Sequence, residues 1–175
     1  MPLCACTVFG AETKEPSRDE IGAMNLHELI RKLEEIDRAR GDAFVNNFES
    51  TLGEIAQQGD PKSIRMLLNF FEDESPFDEV MFSIIHTIEI FDDATFVREI
   101  LEAAPSFCQQ SPRWASILLM RILNSESTRP ELVRQLRDAS SETKGVVRSL
   151  LEKINQRGPQ FLAKTTAALL ATAQM

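Results

Sequence analysis

The chain has 175 residues, 43% apolar and 26% charged, which fits one domain or one short repeat array and excludes wholesale disorder. Acids outnumber bases 27 to 19, for a net charge of −8. That balance argues against a nucleic-acid binder or an anionic-membrane binder, which rely on basic surface, and leaves basic partners open.

Residues 1–24 mix Cys, Gly, Pro, Ser and charges without periodicity and read as a flexible leader. The start has no basic segment followed by an apolar run, so no signal peptide is expected. No window approaches the ~18 apolar residues that span a bilayer. An odd set of three cysteines, Cys4, Cys6 and Cys108, does not make a disulfide framework. Cys4 and Cys6 form a lone C-x-C with no further ligand nearby, a weak metal signal. The chain reads as soluble and cytosolic.

From Asn25 onward the apolar spacing is helical. Leu26, Leu29, Ile30, Leu33 and Ile36 form one stripe, with Asn25 and Glu28 as a capping box and Gly41 as the break. Phe44, Val45, Phe48, Leu52 and Ile55 form a second stripe, closed by Gly59. Asp60-Pro61 then supplies a cap and a proline at the first helical position. Prolines 61, 76, 105, 112, 130 and 159 all fall between stripes. Residues 161–175 read as a capping helix or a tail after Gly158-Pro159.

The stripes repeat. Arg31, Arg65, Arg98 and Arg134 each follow a branched aliphatic residue and precede another aliphatic two positions on, at spacings of 34, 33 and 36. Ser50, Ser83, Ser116 and Ser149 recur every 33 residues in the intervening helices. Two helices per unit at this period predict an all-α fold, a short right-handed α-solenoid of HEAT-like or armadillo-like pairs. About four pairs fill residues 25–160, as units near 26–58, 61–91, 94–124 and 129–156. Tetratricopeptide and ankyrin signatures are missing. The repeated serine is expected at a tight helix crossing. The repeated arginine is expected to lay its stem over the seam between units.

Charge is polarised along the chain: −6 over residues 1–60, −7 over 61–110 and +5 over 111–175. The densest stretch, residues 72–79, holds Glu72, Asp73, Glu74, Asp78 and Glu79, and the next turn adds Asp92 and Asp93. Asp78 and Asp93 suit helix N-caps, and Glu79 suits a first turn. The same seven acids form the expected docking surface for a basic protein.

Little in the sequence points to catalysis. Adjacent carboxylates on a turn lack the fixed pocket of a general acid–base pair. A Ca²⁺ loop, a zinc H-E-x-x-H, a P-loop and a G-x-S-x-G elbow are absent. His86 lies in an almost wholly apolar run and is expected in the core or a seam. Cys108 has no basic neighbour in sequence and reads as an unreactive thiol. No cofactor, metal or enzymatic role is expected.

The run Phe77 to Glu89 resembles the best-known segment of the immunity protein 30 family. Phe91-Asp92-Asp93, Phe96-Val97-Arg98-Glu99, Arg113-Trp114-Ala115, Arg121 to Ser125 and Val147 to Asn155 are similar to it too, over roughly residues 61–165. The resemblance implies a small helical bacterial antitoxin, encoded beside a polymorphic toxin of a contact-dependent or secreted competition system. It implies a cytoplasmic protein that neutralises a cognate toxin domain by binding it, and it carries over no catalytic residue. An acidic face suits a basic toxin, for example a nuclease. The alternative is a HEAT-like adaptor that holds a housekeeping partner.

Overall fold

The computed structural model describes residues 24–173. Cys4, Cys6 and all of the expected 1–24 leader except Met24 lie outside the described residues. Within them the protein is all-helical: nine α-helices, one 3-10 turn and no strand.

Helix α1 (Leu26–Ala39) starts on the expected capping box. Asn25 Oδ1 accepts the Glu28 N–H at 3.1 Å, and Glu28 Oε2 accepts the Asn25 N–H at 2.9 Å. Its end differs from expectation. The left-handed residue is Arg40 (φ 38°, ψ 44°), not Gly41. A side chain in that region costs about 1 kcal/mol. At Arg40 the guanidinium binds Asp37 and, at 2.7 Å, Glu72. Helix α2 (Phe44–Gln58) closes on Gly59 at φ 64°, where the missing Cβ removes that cost. Helix α3 (Lys62–Leu68) is short, and Asp60 Oδ1 accepts its Lys62 N–H at 2.9 Å.

The remaining helices are α4 (Asp78–Ile88), α5 (Asp93–Gln110), α6 (Pro112–Asn124), α7 (Thr128–Asp138), α8 (Ser141–Gln156) and, after a 3-10 turn at Pro159–Phe161, α9 (Leu162–Ala173). The odd-numbered helices touch in succession, α1 on α3, α3 on α5, α5 on α7 and α7 on α9. Helix α2 packs on α1 and α4. Helix α8 lies chiefly on α5 and α9. One apolar core runs through all nine.

Three local expectations give way to tertiary context. Pro105 lies inside α5, not between stripes. A proline there removes the donor for the Leu101 carbonyl one turn earlier. The Thr143 hydroxyl of α8 replaces it, 3.3 Å from that buried carbonyl. The helix therefore continues because a neighbouring helix satisfies its orphaned acceptor.

His86 is exposed, with 67% of its side chain accessible, and not in the core. Helix α4 buries Val80, Met81, Ile84, Ile85 and Ile88. At 100° per residue His86 falls on the opposite side, and its apolar neighbours in sequence are not its neighbours in space.

The repeated serines do not share one environment. Ser116 is buried, Ser83 is half-buried, and Ser50 and Ser149 are exposed. Of the repeated arginines, Arg65 does cross a seam, from α3 to Glu99 and Glu102 of α5. Arg98 and Arg134 instead pair within their own helices, with Glu99 and Glu131. Arg65, Arg98 and Arg134 nevertheless line one open groove of about 750 Å³ with residues of α8.

Replacing Thr143 with Val leaves the Leu101 carbonyl without a donor and is expected to lower unfolding stability by about 1–3 kcal/mol in urea melts. Adding Pro105→Ala restores a helical N–H and should recover part of that loss. Equal losses in the single and double variants would mean that the carbonyl is not the cause.

Candidate functional site

The acidic segment 72–79 is a turn held from four sides. On the α2 side, the Phe77 ring packs on Phe44 with centroids 4.7 Å apart. From the end of α1, Arg40 pairs with Glu72. Before α6, the buried Ser111 hydroxyl donates to the Phe71 carbonyl. From α6 itself, the Trp114 indole N–H donates to the Glu72 carbonyl at 3.0 Å.

Asp73 acts as a cap for a helix it does not precede. Its carboxylate accepts the Arg113 N–H at 2.9 Å and the Trp114 N–H at 3.3 Å, two of the free donors in the first turn of α6. The Arg113 guanidinium donates to the Asp73 carbonyl at 3.0 Å and grips Asp78 through both carboxylate oxygens. It also covers the Trp114 ring at 4.8 Å. Trp114 is fully buried and contacts Phe71 and Phe82, with centroids 5.6 and 5.2 Å away.

The seven acids singled out from the sequence thus fall into different roles. Glu72, Asp73 and Asp78 are engaged by Arg40 and Arg113. Glu74 and Glu79 are exposed, and their carboxylates make no hydrogen bond or ion pair among the described residues; Glu74 adds to the negative field around Arg113. Asp92, not Asp93, caps α5, accepting the Thr95 N–H at 3.0 Å. Asp93 accepts the Thr128 hydroxyl at the start of α7. Asp78 is likewise the first residue of α4 and not its cap, a place held by Phe77. The two acidic turns lie at opposite ends of α4, about 16 Å apart by its axial rise.

Sequence reasoning missed the arginines that organise this edge. Arg113 and Arg121, two turns apart on α6, clasp the two ends of α4. Arg121 forks onto Glu89 with both contacts at 2.6 Å. The usable signal was the match between these basic positions on one helix face and acids 32 to 35 residues earlier, close to the repeat period.

Among the described residues, no three His, Cys, Asp or Glu side chains converge as metal ligands. Burial pushes the Cys108 thiol up to about 11, against the opposing pull of Lys153. Lys153 is thus a basic neighbour that the sequence did not reveal, but the thiol is protonated at neutral pH.

Ion pairs and capping set the acid response. The Arg113 hydrogen bond holds the Asp78 carboxyl below its usual range, and the Thr95 N–H does the same at Asp92. Arg134 holds Glu131 at about 2, against an ordinary 4.5. A carboxyl whose folded value is depressed stabilises the fold fully above its unfolded value and loses that contribution as pH falls toward the folded one. Unfolding stability should therefore drop between pH 4.5 and about 2. The pair Asp78→Asn and Glu131→Gln should flatten that slope in denaturant midpoints taken across pH, and an unchanged slope would assign acid unfolding to other groups.

No curated protein and no solved structure matches the chain. A family profile described as Immunity protein 30 matches residues 26–132. The matched span begins at α1, earlier than the resemblance placed it, and ends within α7, short of the Val147 to Asn155 block. It contains the acidic turn, α4, and the α6 arginines and tryptophan that fix them. The chain belongs to the immunity protein 30 family.

Proposed function

We propose that this protein is a non-enzymatic, cytoplasmic immunity protein that binds and neutralises a cognate toxin domain of a contact-dependent or secreted competition system. Family membership supports the neutralising role. The observation that carries the mode of binding is the pinned acidic edge, with Glu74 left unpaired on the turn held by α6 and Glu79 left unpaired in the first turn of α4. A turn already ordered in the free protein avoids part of the entropic cost of association.

The partner this edge fits is basic, and a nuclease domain, built to hold phosphates, has that character. Glu74 and Glu79 make direct contact. Glu72, Asp73 and Asp78 contribute through their field while holding their arginines, and Asp92 and Asp93 extend the negative potential to the far end of α4. The helix pairs form a short right-handed solenoid of HEAT-like units in this reading. The succession of contacts among α1, α3, α5, α7 and α9 supports it; α8, which docks chiefly on α5 and α9 and not on its unit partner α7, departs from it, as does the scant backbone contact between α4 and α6.

The test uses the toxin domain encoded in the adjacent reading frame. Co-expression of this protein is expected to restore growth to cells making that domain, and growth arrest despite folded protein would contradict the reading. Glu74→Lys with Glu79→Lys should slow association by about tenfold at low salt, with the difference shrinking as salt rises. The melting temperature should fall by only a few degrees, because neither carboxylate holds a partner and the only loss is the favourable place of Glu79 in the first turn of α4. Association kinetics that are unchanged at every salt concentration would remove the acidic edge from the interface.

A further inference from the structure

The face of α4 turned away from the core carries apolar side chains that the fold leaves partly uncovered. Phe82 is 38% exposed and Ile90, just past the helix, is 55% exposed. His86 lies between them at the same four-residue spacing and is also open. These are three of the few places where the fold leaves a large or aromatic surface uncovered, and they form one line about 12 Å long.

The line is fixed from below and bordered by acids. Phe82 stands edge-on against buried Trp114 at 81°, so its exposed rim has one orientation. Arg113–Asp78 clasps one end of the helix and Arg121–Glu89 the other. Glu79 stands one turn before Phe82. Glu49 of α2 lies alongside and accepts the Ser83 hydroxyl at 2.7 Å. Arg113 and Arg121 are each committed to a carboxylate, and Glu49 and Glu79 make this border negative.

We propose that this face of α4 is the centre of the toxin interface, and that its occupant is a basic segment of the toxin domain presenting an apolar side chain between Lys or Arg residues. The inference rests on the immunity reading above and adds where affinity, as distinct from capture rate, comes from. An aromatic side chain on a rigid seat inside a charged rim is the arrangement from which interfaces draw most of their binding energy. Pairing of this face with a second copy brings Glu49 and Glu79 against their own counterparts, which a chain of net charge −8 disfavours.

The experiment compares wild type with Phe82→Ser and, separately, Ile90→Lys, binding the toxin domain of the adjacent reading frame by surface plasmon resonance. Ile90→Lys alters a residue outside any helix and guards against misfolding of the first variant, and circular dichroism confirms the fold of both. The expected result is a dissociation rate raised about tenfold or more in each variant; association changes little for the charge-neutral Phe82→Ser, the reverse of the pattern for Glu74→Lys and Glu79→Lys, and slows modestly for Ile90→Lys through its added charge. Wild-type dissociation rates in both variants would overturn this inference and leave the immunity reading standing. Failure of wild type to bind the domain would overturn both. Sedimentation showing a wild-type dimer that Ile90→Lys disrupts would assign the face to a second copy and overturn the inference.

Discussion

The contact on which the rest depends is the meeting of Trp114 with the turn after α3. Its indole is buried, its side-chain N–H and its backbone N–H both reach the 72–73 segment, and its ring receives Phe71 on one side and Phe82 on another. One side chain thereby joins the core, the acidic turn and the outer face of α4. The surrounding polar contacts are individually modest and partly exposed, so each contributes little alone. Their effect comes from sharing one buried anchor. The turn is ordered because its backbone acceptors are occupied by α6, and it keeps a surplus of carboxylates because only two guanidiniums, those of Arg40 and Arg113, meet its five acids.

That arrangement explains how a strongly acidic turn is tolerated beside a helix start. Asp73 caps α6, Asp78 and Glu79 occupy the favoured first turn of α4, and Arg113 lies between the two helix ends. The helix termini and the arginine offset like-charge repulsion that would otherwise open the turn. The remaining negative potential faces outward. In the proposed complex the charged rim sets how fast the partner is captured and the apolar line on α4 sets how long it stays.

Much of the helix pattern was legible in the sequence because it follows from local rules. The capping box at Asn25, the left-handed Gly59 and the apolar stripes of α1 and α2 are all decided within a few residues. What sequence could not give was set by contacts 30 to 42 residues apart, such as Thr143 accommodating Pro105 or Arg113 capturing Asp78. His86 was misplaced because apolar composition around a residue does not fix the side of the helix it occupies. The seven acids were singled out by charge density alone, which does not distinguish a carboxylate engaged as a cap from one left without a partner. The repeated serines misled for a related reason, since equal spacing in sequence did not bring equal burial.

The most direct test of the central claim is hydrogen–deuterium exchange on the complex with the toxin domain of the adjacent reading frame. If the pinned acidic edge and α4 form the interface, peptides covering residues 72–90 gain protection on binding, while those covering α8 and α9 exchange as in the free protein. Protection confined to residues 141–173, with 72–90 unchanged, would place the toxin at the other end of the molecule and contradict the account.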